Sequence, residues 1–197
     1  MYRHFIKRLF DLFLSFLAII VLFPLFLILI IAVAIDQKGH VFFVQKRLGK
    51  NKKLFNLVKF RTMDINAPNN VTPSEMKDHY DKYVSKFGRF MRLSALDEIP
   101  QILNIFLGQM SIIGYRPSQS VEEELNNARD QYGIYKMKPG LTGWAQVNTQ
   151  HDPKMKVMFE KEYVEKASFC FDFKIFFLTI GFLLSRLFRP NKHKIND

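Results

Sequence analysis

A run of 24 residues, 12–35, contains no charged side chain and constrains the fold of this chain more than any other feature. About 20 apolar residues are enough for a helix to cross the hydrocarbon core of a bilayer. A signal peptide is the weaker interpretation, because the run is long and no small-residue cleavage pattern follows it. Pro24 lies near its centre and should kink the helix. The run therefore predicts a retained membrane helix.

Two topologies are compatible with this helix. It can span the bilayer with a kink, or it can enter one leaflet, bend at Pro24 and leave by the same face. Basic residues flank both ends of the run, among them Lys7 and Arg8 before it and Lys38 and Lys46 after it. Because positive residues favour the cytoplasm, these flanks select no orientation. Composition alone favours the ordinary span, since prolines are tolerated in spanning helices.

The composition limits the class of partner. The 197 residues include 29 Lys and Arg against 18 Asp and Glu, a formal net charge of +11. Nucleic acid, acidic lipid headgroups or phosphorylated small molecules are the partners expected for such a chain. A hydrophobic content of 48% excludes intrinsic disorder. The single cysteine, Cys170, cannot form an internal disulfide and argues against a structural zinc site.

The chain has the pattern of an α+β fold, with residues 1–38 as the predicted membrane anchor and residues 39–197 as a second domain. Two short runs rich in Val and Phe, 41–45 and 54–60, predict a β-hairpin around a Gly-containing turn. Four helices are predicted, one from apolar spacing of three and four over 100–107 and two, 121–131 and 154–166, as charged helices. They cover residues 74–92, 100–107, 121–131 and 154–166, and a loop is predicted over 66–74.

A second apolar region covers residues 168–189. Its longest uncharged stretch, 175–185, has 11 residues and is too short to span a bilayer. Aromatic and aliphatic residues beside Lys174 and Arg186 suit a helix that lies in the membrane interface, close to anionic lipid. A buried amphipathic helix is an equal alternative.

The adjacent acids Asp97 and Glu98 are the most suggestive candidates for chemistry. Pro100 favours a helix that begins close to them, and free helical amides stabilise an ionised carboxylate. In the plainer interpretation, Ser94 and the acids only cap that helix. In the functional interpretation, an ionised carboxylate attacks phosphorus or holds Mg²⁺.

Cations and glycines surround the acid pair in sequence. Four cations of the kind that bind phosphate are Lys59, Arg61, Arg92 and Arg116. Any single Lys or Arg is more commonly a solvated surface residue than a ligand contact. Gly140 and Gly143 would allow a phosphate to approach the backbone closely. Their Gly-x-x-Gly spacing is weak alone and is also similar to the nucleic-acid clamp of KH domains, but the surrounding pattern lacks that fold.

Six segments occur in an order and spacing that resemble one family. They are Lys7-Arg-Leu-Phe-Asp, Phe42-Phe-Val-Gln-Lys-Arg-Leu-Gly, Lys59-Phe-Arg-Thr-Met, Leu96-Asp-Glu-Ile-Pro-Gln-Ile-Leu-Asn, Met110-Ser-Ile-Ile-Gly-Tyr-Arg-Pro and Lys138-Pro-Gly-Leu-Thr-Gly-Trp-Ala-Gln-Val-Asn. Together they resemble the bacterial sugar transferases, in the small monotopic phosphoglycosyl transferase form. One segment would be weak, whereas the ordered set extends over nearly the whole chain.

The resemblance implies a reaction. A phosphosugar passes from a UDP-sugar to undecaprenyl phosphate, giving undecaprenyl-diphosphate-sugar and UMP, as the first membrane step of capsule, exopolysaccharide or other glycoconjugate synthesis. By the match, Asp97 is the nucleophile that forms a phosphosugar-aspartyl intermediate, and it lies at the Mg²⁺ cofactor. Glu98 assists as a positioning group or proton carrier. The substrate contacts implied are Lys59, Arg61, Arg92, Arg116, Pro117, Thr142 and Gln146.

The resemblance also implies a location and partners. The membrane helix would be re-entrant and broken at Pro24, which places the site at the cytoplasmic face of the bacterial inner membrane. The expected partners are the UDP-sugar, undecaprenyl phosphate, membrane lipids and downstream glycosyltransferases, without nucleic acid. Three positions depart from the family pattern. Phe23 replaces a common Ser before Pro24, Ala95 follows Ser94 where Thr-Ser is usual, and Tyr115 replaces a Pro, so we expect a less rigid Arg116 loop.

Two other functions remain open from the sequence. A membrane-tethered basic module that binds nucleic acid or acidic lipid would explain the charge of +11. A catalytically inactive scaffold of a polysaccharide assembly complex would explain the membrane segment. The first of these does not account for the Asp97–Glu98 pair, and the intact acids and cations argue against the second.

Overall fold

The structure is a computed structural model that describes residues 2–68, 80–148 and 152–188. After a short π-helical turn, Tyr2–Ile6, it begins with helix α1 (Lys7–Asp36). By length and composition α1 could cross a membrane, and only 11% of an apolar stretch of 18 residues within it is buried. Helix α1 continues through Pro24 in secondary structure, and the predicted bend at this residue stays a prediction. A proline loses its own N–H bond without forcing its neighbours out of helical geometry.

The predicted hairpin is confirmed. Strands β1 (Phe42–Leu48) and β2 (Leu54–Phe60) pair antiparallel over their whole length, and a 3-10 turn, Lys50–Lys52, connects them. Side chains alternate between the two faces of this pair. Phe43, Gln45 and Arg47 therefore lie on one face, with Lys59 opposite Phe43.

Helices α2 (Tyr80–Tyr83) and α3 (Lys86–Leu93) replace the single helix predicted over 74–92. The chain leaves helical geometry between them because Val84 bridges Met63 and Ser85 caps α3, with its hydroxyl accepting from the Gly88 amide at 2.8 Å. The remaining part of that prediction, residues 74–79, lies outside the described residues. So does most of the loop predicted over 66–74.

The other predicted helices are confirmed. They are α4 (Gln101–Phe106), α5 (Glu123–Gln131), α7 (Pro153–Lys166) and α8 (Phe169–Phe188). A short helix that was not predicted, α6 (Trp144–Asn148), lies between α5 and α7. As expected, Gly108 follows the end of α4, and its φ of +81° suits a residue without a Cβ.

A second, parallel pair of strands was not predicted. Strands β3 (Ser111–Ile113) and β4 (Gly140–Thr142) pair across a long intervening segment. A Cβ on Gly143 would lie 1.8 Å from the carbonyl oxygen of Gly114, so the backbones can approach only because the glycine has no side chain. The glycines of the Gly-x-x-Gly segment therefore allow close packing of the strands, and the approach of a phosphate to their backbone stays a prediction.

Helix α8 is packed on one side only. Asp172 and Ile175 are buried, whereas Phe173 and Phe177 are exposed together with other apolar side chains. The interpretation of α8 as a buried amphipathic helix is therefore wrong for most of its surface. A mixed α and β fold is confirmed, and the division of the chain at residue 38 stays a prediction.

Both ends of α1 contact the globular part of the chain. At the N-terminal end Lys7 forms a buried ion pair with Asp172 at 2.5 Å, and Asp11 accepts a hydrogen bond from the Ser111 hydroxyl at 3.0 Å. Arg8 donates to two carbonyls at the C-terminal end of α4, at 2.7 and 2.8 Å. At the other end, Val33 is fully buried in a cluster with residues of β2 and α3.

Candidate active site

The acid pair lies in a 3-10 turn, Leu96–Glu98, between α3 and α4. The chain enters this turn through Ala95, whose φ of 56° falls in the left-handed region that residues with a Cβ seldom adopt. Asp97 is 6% exposed, and both carboxyl groups lie in the wall of a cleft. The turn thus fixes two adjacent acids at one surface.

The predicted cap at Ser94 is wrong. The Ser94 hydroxyl donates to the carbonyls of Phe90 and Met91, at 2.8 and 3.2 Å, so it closes the end of α3. The N-cap position of α4 is Pro100, whose side chain has no hydrogen-bonding group.

Glu98 is held by two cations. Its Oε1 lies 3.0 Å from Lys59 Nζ and 3.5 Å from Arg116 Nη1, and its side chain is 16% exposed. Burial acts to raise the pKa of Glu98, but the charges of Lys59 and Arg116 outweigh it and lower that pKa to about 2. Glu98 is therefore ionised at neutral pH, which favours a positioning role over that of a proton carrier.

The cleft has a volume of about 740 Å³. Nine predicted site residues line it: Asp97, Glu98, Lys59, Arg61, Arg92, Arg116, Pro117, Thr142 and Gln146. Pro24 lies outside this lining. The structure thus brings nine residues together from positions 59 to 146, and their individual roles stay predictions.

Two predicted cations are oriented by neighbouring groups. Arg92 donates from Nε to the Thr62 hydroxyl at 2.9 Å. The guanidinium of Arg61 lies 5.7 Å from the centroid of the Phe43 ring, in cation–π range. These contacts limit where each guanidinium can point.

Thr142 and Gln146 present polar groups at the end of β4 and on α6. The Thr142 hydroxyl lies 2.8 Å from the Thr179 hydroxyl of α8. Gln146 donates from Nε2 to the Leu141 carbonyl at 3.1 Å. Its Oε1 is buried and accepts no hydrogen bond from the part of the chain that the structure describes. Such an acceptor requires an N–H or O–H donor, from water or from a bound molecule.

Arg47 is a lining residue that the sequence reasoning did not single out. Its guanidinium donates to the Pro117 carbonyl at 3.2 Å and lies 3.7 Å from Glu122. Burial lowers the pKa of Arg47 to about 10, and the nearby charge of Arg116 adds to this effect. The strand alternation could have identified Arg47, because that pattern places it on the same face as Phe43.

Lys156 of α7 is a second missed residue. It lines the cleft, and within residues 2–68, 80–148 and 152–188 its ammonium group forms no hydrogen bond or ion pair. Burial lowers the pKa of Lys156 to about 8, assisted by the charge of Arg129 and opposed by that of Glu160. The local pattern does not distinguish Lys156 from the other lysines of α7.

The Arg116 loop is not loosened by Tyr115. The tyrosine is 3% exposed, packs edge-to-face on Tyr135 with ring centroids 5.5 Å apart, and lies 5.1 Å from the Arg129 guanidinium. Its backbone carbonyl accepts from the Gly140 amide at 2.8 Å. The expectation of a less rigid loop is therefore wrong, because burial of an aromatic ring anchors the loop instead of a proline.

The acidic side chains of the cleft fit Mg²⁺ if one carboxylate binds the ion together with a substrate. Among the described residues, no three His, Cys, Asp or Glu side chains gather into a metal site. Glu98 is held by Lys59 and Arg116, and Asp97 is the ligand that the family resemblance implies. Proteins commonly bind Mg²⁺ through one or two carboxylates together with substrate phosphates and water. Asp97 fits this pattern, with a bound diphosphate completing the site.

Comparison with known proteins assigns the chain to a family. Residues 2–186 match the family described as bacterial sugar transferase. The chain is 35% identical to the undecaprenyl-phosphate glucose phosphotransferase of Komagataeibacter xylinus over 88% of its own length and 35% of the relative's. It is 35% identical to the UDP-glucose:undecaprenyl-phosphate glucose-1-phosphate transferase of Escherichia coli, over 89% and 39%. It is also 35% identical to the exopolysaccharide production protein ExoY of Sinorhizobium fredii, over 88% and 83%.

The chain therefore belongs to the bacterial sugar transferase family. It spans little more than a third of the length of the first two of these relatives. It covers most of the third.

Proposed function

We propose that this chain is a phosphoglycosyl transferase that moves a phosphosugar from a UDP-sugar to undecaprenyl phosphate. The names of the relatives support the acceptor and the reaction class. One structural observation carries the proposal. A buried carboxylate, Asp97, lies beside a Glu98 that two cations hold ionised, in a cleft that apolar residues of α1 and α8 also line.

The first step forms a covalent intermediate. A carboxylate oxygen of Asp97 attacks the β-phosphorus of the UDP-sugar, and the bond from that phosphorus to the bridging oxygen breaks. The electron pair stays on the bridging oxygen, and UMP leaves. Arg116 and Lys59 lie where they can stabilise negative charge on the diphosphate. Mg²⁺ held at Asp97 would neutralise charge on the diphosphate.

The second step returns Asp97 to its starting state. A phosphate oxygen of undecaprenyl phosphate attacks the phosphorus of the intermediate, and the Asp97–phosphorus bond breaks. The electron pair returns to the carboxylate. A two-step route allows the water-soluble donor and the lipid acceptor to use one site in turn. Throughout, Glu98 keeps Lys59 and Arg116 in place.

The contacts of α1 support an arrangement with both of its ends on one side of the membrane, as in the re-entrant helix at the cytoplasmic face that the family resemblance implies. A helix of 30 residues is about 45 Å long. Lys7 and Asp11 at one end and Val33 at the other are buried against the same globular part, whereas Phe16, Ile20 and other residues between them are exposed. An ordinary span would carry one end of α1 across the bilayer, away from the domain.

Labelling of single cysteines tests this topology. In a Cys170→Ser background, cysteines introduced before α1, at Tyr2, and after it, at Gln37, are exposed to an impermeant thiol reagent in sealed inside-out vesicles. Both react in the re-entrant arrangement. Reaction of only one of them before the vesicles are opened would contradict it.

The reaction is tested by release of UMP from a panel of UDP-sugars, with Mg²⁺, by purified protein in lipid particles. We expect UMP with at least one sugar when undecaprenyl phosphate is present. Asp97→Asn should abolish the release, and Asp130→Asn, an exposed matched control that pairs with Lys52, should retain it. Full activity of the Asp97→Asn protein would refute the mechanism.

A further inference from the structure

The lining of the cleft is unusual in that two largely exposed apolar helices contribute to it. Leu22 and Leu25 of α1 and Ile180 and Leu183 of α8 all line the cleft that contains Asp97. Many other apolar side chains of both helices are exposed. A molecule that enters between α1 and α8 would therefore meet apolar surface before it meets the acid pair.

A cation lies on this apolar path. Arg186, in the last turn of α8, lines the cleft and is only partly exposed. It donates one hydrogen bond, from Nη2 to the Arg92 carbonyl at 3.3 Å, and its guanidinium lies 5.8 Å from the centroid of the Phe182 ring. Within the described ranges Arg186 forms no ion pair with a carboxylate. Its charge nonetheless acts on Glu98.

A guanidinium in this position has unused binding capacity. Arg carries five N–H donors in a planar fork that suits the oxygens of a phosphate. Among described residues Arg186 uses one of them. The carbonyl that Arg186 contacts belongs to Arg92, whose guanidinium also lines the cleft. A cation beside an apolar channel matches a ligand with one anionic head and a long apolar chain.

We propose that the acceptor enters the cleft between α1 and α8 and that Arg186 binds its phosphate. The ligand class is a polyprenyl monophosphate, whose chain lies along Leu22, Leu25 and Leu183 and whose head faces Asp97. This inference rests on the proposed function, because it assigns that reaction's lipid acceptor to one part of the cleft. It leaves the donor to the other cations that line the cleft, among them Lys59, Arg116 and Lys156.

The two half-reactions separate this role from others. Without acceptor, donor turnover stops after one UMP per enzyme, so the burst reports the first step alone. We expect Arg186→Gln to leave the burst unchanged and to raise the acceptor KM at least tenfold. Arg186→Lys should recover part of the loss. Lys174→Gln, which removes an exposed cation of α8 that stacks on Trp144 outside the cleft, should match the wild type.

Other outcomes overturn the proposal. A burst that falls as much as acceptor turnover would mean that Arg186 serves the donor. Equal losses in both steps together with a lower Tm would mean that Arg186 only holds the end of α3. Unchanged acceptor kinetics would exclude any role in binding.

A binding measurement does not depend on turnover. A polyprenyl phosphate with a photoreactive group in its tail should cross-link to peptides of α1 and α8 in the wild type, and less in Arg186→Gln. Excess phosphatidylglycerol should not compete, whereas polyprenyl phosphate without the photoreactive group should. Labelling elsewhere, or competition by phosphatidylglycerol, would overturn the proposal. If the wild type releases no UMP but cross-links as expected, the proposed reaction fails and the lipid site stands.

Discussion

The Lys59–Glu98 pair makes a prediction whose size follows from the structure. Lys59→Met removes the cation 3.0 Å from Glu98 and leaves Arg116, at 3.5 Å, as its remaining ion-pair partner. The partners of Glu98 lower its pKa from 4.5 to about 2, which corresponds to about 3 kcal/mol of stabilisation at neutral pH. Because Arg116 retains part of this, we expect Lys59→Met to cost about 2 kcal/mol.

Thermal unfolding in detergent measures this cost. For a chain of this size, about 2 kcal/mol lowers Tm by about 4–8 °C. The folded-state pKa of Glu98 lies below its unfolded value, so its stabilisation is present above about pH 4.5 and is lost as pH falls towards 2. The difference in Tm between wild type and Lys59→Met should therefore be full at pH 7 and shrink below pH 4.5.

Two further variants make this measurement decisive. In a Glu98→Gln background, Lys59→Met should cost much less than in the wild type, because the Lys59–Glu98 interaction is already absent there. Lys52→Met, which breaks the exposed pair with Asp130, should change Tm little. If Lys59→Met has no larger effect than Lys52→Met, or if its effect does not depend on pH, the assigned pairing is refuted.

Three more predictions concern other parts of the cleft and its supports. Tyr115→Phe should raise stability by about 1 kcal/mol, because the buried hydroxyl has no hydrogen-bond partner among described residues; a lower Tm would contradict this. The kcat/KM for the UDP-sugar should fall above about pH 8 as Lys156 loses its charge, and Lys156→Arg should remove that decline; an unchanged pH profile would exclude Lys156 from donor binding. Gly143→Ala should prevent folding, since its Cβ would meet the Gly114 carbonyl oxygen at 1.8 Å. Gly181→Ala, with no atom within 4 Å of the new Cβ, should fold normally. A well-folded Gly143→Ala protein would show that β3 and β4 pack less closely.

Local patterns predicted the elements that are long and periodic. The hairpin and α4 have regular apolar patterns, and α5 and α7 are charged segments without internal Gly or Pro breaks. The strands β3 and β4 have three residues each, too few to show alternation, and they pair across 26 intervening residues. Such pairing depends on tertiary packing, which a local sequence pattern does not contain.

The site was predictable in part for a similar reason. Asp97 and Glu98 and the cations of nearby motifs could be singled out from residue type, and the structure brings them into one cleft. Lys156 and Arg186 come from helices much later in the chain and look like ordinary surface cations there. The contact of Asp11 could not be predicted either, because its partner Ser111 lies 100 residues away. Only the folded chain shows that these residues meet.

Mass spectrometry of the intact protein tests the covalent mechanism most directly. The protein is mixed with its UDP-sugar and Mg²⁺ without acceptor, quenched in acid and weighed. The account predicts an added mass of one phosphosugar, on the peptide that contains Asp97, and its loss when undecaprenyl phosphate is added. No adduct should form on Asp97→Asn. Full turnover by a wild-type protein that never carries the adduct, or an adduct on another residue, would contradict the assignment of Asp97 as the nucleophile.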